Sequence, residues 1–164
     1  MNSLRQGTSQ QTARIWVDTD SLEVAQGHGS VWDSGEKSLT INLMEYGAKN
    51  LKPFTTYYWK VMSRDEQGTE YHSPVARFET GMMQTANWQG TWISDAHDTD
   101  FHPVPYFRRA FSAPKAIRSA RAYVAAAGLY EFYINGNKVG NHRLDPMYTR
   151  FDRRTLYVTY DVTS

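Results

Sequence analysis

Cysteine is missing from all 164 residues, which removes disulfides, thiolate metal ligands and thiol nucleophiles at once and leaves the redox compartment open. No apolar run approaches the roughly 20 residues that span a bilayer; the longest sits around "AYVAAAGLY". The opening stretch "MNSLRQGTSQ" has no apolar core of the signal-peptide kind. A soluble chain with no membrane partner is expected, its compartment unassigned. Neither sign of charge dominates, with 18 basic against 17 acidic side chains and a formal net charge of +1. No basic face is available to track phosphates, so nucleic acid is not an expected partner. Gly-rich phosphate loops, heptads, repeats and low-complexity tracts are also missing.

What is present points to a packed fold. Apolar residues make up 40% and aromatics 14%, and the length suits one large domain or two small ones. "TARIWV" alternates, Ala13, Ile15 and Val17 opposing Thr12, Arg14 and Trp16, as a half-buried strand does. In "DSLEVAQG", Asp20 can cap a short helical turn, Glu23 follows three residues on, and Gly27 can end it. "SVWDSG" and "SLTINL" read as two strands joined at a turn through Asp33, Ser34 and Gly35.

"LKPFTTYYWKVMSRDEQG" is more specific. Tyr57, Trp59 and Val61 share a strand face, with Trp59 at a core position, and the spacing Leu51, Pro53, Tyr57 matches a tyrosine corner, whose hydroxyl bonds to upstream backbone. With Val61, a turn at Asp65 to Gly68 and the closing strand "ARFET", this half resembles a fibronectin type III domain. The period breaks at "TGMMQTANWQGTWISDAHDTD", and further strands are expected at "PYFRRAFSA", "SARAYVAAAG", "LYEFYING", "NKVG" and "TLYVTYDV". The expected fold class is all-β, two tandem β-sandwich modules over residues 1–82 and 83–164. In "GLYEFYINGNKVG", Tyr130, Phe132 and Ile134 oppose Leu129, Glu131 and Tyr133, and Asn135, Gly136 and Asn137 form the turn.

The succession "VWDSG", "YYWKV", "RDEQG", "FETGM", "FRRAF", "ARAYVAAAGLYEFYINGNKVG", "LDP" and "RTLYVTYDVT" resembles the N-terminal part of bacterial α-L-rhamnosidases, from about Gln11 to Ser164. Departures occur at Met147, where that family commonly has glycine, and at Tyr148, where it often has tryptophan. The resemblance implies a fibronectin-type module followed by the start of a jelly-roll N domain. It also implies that an (α/α)6 barrel beyond this sequence carries the carboxylates of an inverting glycoside hydrolase, so that the chain is by itself inactive. Its partner would then be a rhamnose-containing saccharide, reached through the parent enzyme, and no cofactor is implied.

Glu131 and Asp145 could be imagined as an acid and base, but a solvated or hydrogen-bonded strand residue and a turn former before Pro146 explain them better, and no catalytic residue is expected. "HDTDFH" offers His97, Asp98, Asp100 and His102, with spacing that puts both histidines on one face of neither helix nor strand; a polar loop accounts for it and no metal site is expected. His28 and His142 read as surface residues. Sugars stack on exposed rings, and Trp88, Trp92, Tyr106 and Tyr148 in or near loops are the candidates, with burial of Trp88 and Trp92 at a seam as the competing reading. Arg150, Arg153 and Arg154 could meet an acidic saccharide or be solvated charge. A free-standing carbohydrate-binding module and a fibronectin-type protein-interaction scaffold are the alternatives, and an open second sandwich would favour a homo-oligomer.

Overall fold

A computed structural model describes residues 9–38, 41, 43–49, 51–95, 100 and 104–163. Among the described residues the structure is all-β apart from one helical turn and a short 3-10 turn, and the chain divides into two compact units, Met1–Ser94 and Asp95–Ser164.

In the first unit β1 (Gln10–Asp18) and β4 (Thr56–Asp65) form an antiparallel spine, with Ile15 opposite Val61 and Val17 opposite Trp59. β5 (Glu70–His72) and β6 (Ala76–Glu79) pair with β4. The alternation places Ile15, Val17, Trp59 and Phe78 on one face, where with Trp32, Met44 and Tyr46 they line an apolar cavity of about 210 Å³. Trp32 meets Tyr46 edge-on at 4.8 Å between ring centroids.

The opposite face is covered too. α1 (Ser21–Ala25) packs on β1 and β4, its Val24 is fully buried, and Lys60 Nζ donates to the Ala25 carbonyl at 2.8 Å. Trp16 is therefore buried rather than solvent-facing, with the Arg14 guanidinium 5.1 Å from its ring centroid. The helix forms where its caps predict it. Asp20 Oδ1 accepts from the Leu22 amide at 2.8 Å, and at the other end His28 N donates to Glu23 O and Gly27 N to Val24 O, a Schellman closure with Gly27 at φ 82°.

The expected turn at Asp33 to Gly35 does not reverse the chain. β2 (Trp32–Asp33) and β3 (Lys37–Ser38) both pair with the same edge of β1. Ser34 N donates to Ile15 O at 3.0 Å and Ser34 Oγ accepts from Ile15 N at 2.9 Å, so a side chain carries the ladder across a kink. Leu39, Thr40 and Asn42 of "SLTINL" lie outside the described residues, and Ile41 and Leu43 are exposed outside any strand.

The tyrosine corner is in place. The Tyr57 ring is 2% exposed and stacks on Phe78 at 5.4 Å, and its hydroxyl accepts from the Lys52 amide at 2.8 Å. The Asp65 turn closes through Gly68 N donating to Asp65 O, while Asp65 Oδ1 accepts from the Gln67 and Thr69 amides.

In the second unit β7 (Arg121–Ala125) pairs antiparallel with β10 (Tyr157–Asp161), Val124 opposite Val158. β8 (Tyr133–Ile134) and β9 (Asn137–Lys138) form the expected hairpin, turned at Asn135 and Gly136 with φ 50° and 80°, as a type I′ turn requires. "PYFRRAFSA" forms no strand. Tyr106 and Phe107 are adjacent, as are Arg108 and Arg109, so the stretch has no two-residue period; none of its residues pairs with β7 or β10, and Phe111 is 80% exposed. A strand is a pairing as much as a pattern. No helix among the described residues is long and apolar enough to cross a membrane.

Candidate functional site

Both hypothetical acid–base carboxylates lie around the β8–β9 hairpin. The hairpin's inner face is anchored by Phe132, whose ring lies 5.7 Å from that of the buried Tyr160, and by Tyr130, whose hydroxyl is 3.0 Å from the Tyr160 hydroxyl. Tyr160 donates onward to Asp145 Oδ2 at 2.7 Å, and the Tyr130 amide donates to the Asp145 carbonyl at 2.9 Å. His142 Nδ1 stands 3.4 Å from the same Asp145 oxygen. Gly140 is required here, since a Cβ at this position would come within 3.0 Å of the Tyr160 ring. Burial first, then the hydrogen bonds to Tyr130 and Asp145, push the Tyr160 phenol far above its ordinary range, so it stays a neutral donor.

Glu131 has a different environment on the outer face. Lys138 Nζ donates to Oε1 at 2.5 Å and the Tyr133 hydroxyl to Oε2 at 2.6 Å. The bond from Lys138, then that from Tyr133, hold its carboxyl below the usual glutamate range. Such a carboxylate is ionised at neutral pH and suits accepting hydrogen bonds, not donating a proton to a leaving group. Asp145 is a ligand of Tyr160 and of backbone, tied into the packing of Tyr130 and the cis Pro146. The two carboxylates thus work on opposite sides of one hairpin, each as part of a structural hydrogen-bond set.

The four aromatic candidates fall in different units. Trp88 and Trp92 belong to the first, where Trp88 is half-buried with its indole nitrogen against Gly90 and Trp92 is 65% exposed. Tyr106 and Tyr148 belong to the second and are 97% and 80% exposed, Tyr148 meeting Phe151 edge-on at 5.4 Å. His97, Asp98 and His102 lie outside the described residues; Asp100 is exposed. His28 is exposed beside Glu23 at 3.1 Å. Arg150 is committed to Asp152 through two bonds, 3.0 and 2.8 Å, while Arg153 and Arg154 are exposed.

Lys138 and Tyr133 went unnoticed as partners of Glu131. An Asn-Gly turn fixes hairpin register, so the sequence did contain the signal that sets Tyr133 opposite Lys138. The Tyr160–Asp145 bond had none, because it joins segments 15 residues apart through a loop.

Comparison with known proteins decides the family. Residues 1–84 match the family described as the Rha78A-like N-terminal immunoglobulin domain, and residues 115–164 match the α-L-rhamnosidase N-terminal domain. The chain belongs to the N-terminal region of the α-L-rhamnosidase family. An α-L-rhamnosidase of Formosa agariphila is 32% identical over 96% of the chain and 19% of that protein. One from Streptomyces avermitilis is 47% identical over 88% of the chain and 14% of that protein. The solved α-L-rhamnosidase of Dictyoglumus thermophilum superposes on 99% of the chain with a TM-score of 0.88 and 35% identity, over 20% of its own length. The chain therefore spans 14–20% of the length of these relatives. The immunoglobulin-type first module is the sandwich architecture to which the tyrosine corner pointed.

Proposed function

We propose that the chain is a non-catalytic accessory region of an inverting α-L-rhamnosidase-like glycoside hydrolase acting on rhamnose-containing glycans, with the second module contributing saccharide contacts. The observation that carries the reading is the match of nearly the whole chain to the N-terminal parts of α-L-rhamnosidases. The local chemistry agrees with it. Inversion needs a proton-donating carboxylic acid and a basic carboxylate across a cleft with room for water. Glu131 is instead an ionised carboxylate held by bonds from Lys138 and Tyr133, and Asp145 serves Tyr160. Tyr106 and Tyr148 present rings of the kind sugars stack on. Calorimetric titration with methyl α-L-rhamnoside tests saccharide contact, and saturable heat that falls in Tyr106→Ala or Tyr148→Ala is the expected result.

Self-association is a second reading with its own observation. Val104, Phe107 and Phe111 of the second unit are exposed apolar side chains. Exposed apolar surface of this kind favours contact between copies. A dimer built through the second module is the form expected.

A further inference from the structure

The outer face of the β8–β9 hairpin carries a group of side chains that none of the aromatic candidates above uses as a unit. Tyr133 and Lys138 are directly opposite in register, so their side chains leave the same face, and Glu131, two residues before Tyr133, shares it. Each Glu131 oxygen accepts one protein hydrogen bond, from Lys138 and from Tyr133. A carboxylate oxygen has two acceptor directions, so one per oxygen is left for a ligand. Lys138 has three donors and spends one on Glu131, and Arg143 lies close enough to favour the Glu131 charge. The Tyr133 ring is 50% exposed, and the fully exposed Tyr106 is near enough to affect its phenol. Behind this face the hairpin is immobilised by the Phe132–Tyr160 contact and the Tyr130–Tyr160 bond.

We propose that Glu131, Tyr133 and Lys138 form a binding site for a neutral saccharide bearing vicinal hydroxyls, one pyranose ring at a time. This deepens the saccharide reading given above and rests on it. Tyr133 supplies the stacking surface for the apolar side of a pyranose. Glu131 accepts from adjacent hydroxyls, and Lys138 donates to one of them, charge-assisted bonds stronger than neutral ones. A central carboxylate disfavours anionic sugars, and the flanking ammonium and guanidinium disfavour cationic ones. The carboxylate is already oriented by two donors, so a ligand meets groups that need little further ordering.

The test is an amide-resolved NMR titration of the full chain with methyl α-L-rhamnoside, joined to calorimetry of Glu131→Gln and Lys138→Met. Saturable shifts centred on Glu131, Tyr133 and Lys138 are expected, with affinity lowered about tenfold or more in Glu131→Gln and Lys138→Met, the scale of one lost charge-assisted bond. Both substituted residues are solvent-facing, and an unchanged amide spectrum outside the hairpin verifies folding. Saturable binding that maps elsewhere and survives Glu131→Gln overturns this site and leaves the accessory saccharide reading standing. No saturable binding overturns both.

Discussion

Replacing Tyr57 by phenylalanine removes one oxygen and keeps the ring, so the stacking on Phe78 at 5.4 Å survives and the hydroxyl is tested by itself. In the native chain that oxygen accepts the Lys52 amide at 2.8 Å, and the ring around it is 2% exposed. Its loss leaves a backbone donor facing a hydrocarbon edge. An unsatisfied buried donor costs about 1–3 kcal/mol. The lower part of that range applies if water reaches the amide, because Lys52 itself is exposed. For a unit of this size each kcal/mol corresponds to about 4–8 °C in Tm. The assay is clean because all five tryptophans, Trp16, Trp32, Trp59, Trp88 and Trp92, lie in the first unit, so tryptophan fluorescence during urea unfolding follows that unit alone. An unchanged midpoint and slope in Tyr57→Phe would refute the reasoning, and Tyr57→Ala, which also opens a cavity, should cost clearly more.

Other outcomes follow from the carboxylates and the exposed apolar side chains. Asp18 is buried, which alone would raise its pKa, but bonds from Ser30, Asp20 and Thr19 together hold it low; Asp33 is lowered first by Arg14, and Asp65 is lowered by the Thr69 and Gln67 amides and Tyr71 against its own desolvation. Folded pKa values below the unfolded reference of about 3.9 give stability that is complete above that pH and is lost as pH falls through the folded values. Urea midpoints by tryptophan fluorescence should thus be flat from pH 7 to 5 and drop below about pH 4, and a midpoint that rises on acidification contradicts these assignments. The isolated chain should not hydrolyse an aryl α-L-rhamnoside; turnover above buffer that disappears in Glu131→Gln or Asp145→Asn would make one of those carboxylates catalytic. Light scattering at micromolar concentration should report a dimer, and a single species at monomer mass removes the self-association reading.

The strands that the sequence announces are those whose alternation is matched by a neighbour. β1, β4 and β6 each show a clear two-residue period, and each finds a partner on the same face, so pattern and pairing agree. "PYFRRAFSA" has neither that period nor a strand partner among the described residues of the second unit, and remains irregular. Asp33-Ser34-Gly35 has the composition of a hairpin turn, yet the same residues serve a kinked edge, because Ser34 Oγ can replace a ladder acceptor. Composition identifies where the backbone bends, and only the position of β1 decides whether it turns back.

A parallel logic governs the hairpin in the second unit. Its register was set by two residues at positive φ, and register alone brings Tyr133, Lys138 and Glu131 together. Local rules therefore suffice for the outer face, where all three members come from one supersecondary unit. The inner face depends on Tyr160 and Asp145, brought together by the packing of β10 against loops, and no short-range period encodes that. The division has a functional consequence: the outer group is exposed and independent of the core, so its side chains can be exchanged with little cost to folding, whereas Tyr160 cannot lose its hydroxyl without leaving Tyr130 and Asp145 unpaired behind the hairpin. Substitutions at Glu131, Tyr133 or Lys138 should thus leave the frame that presents them intact.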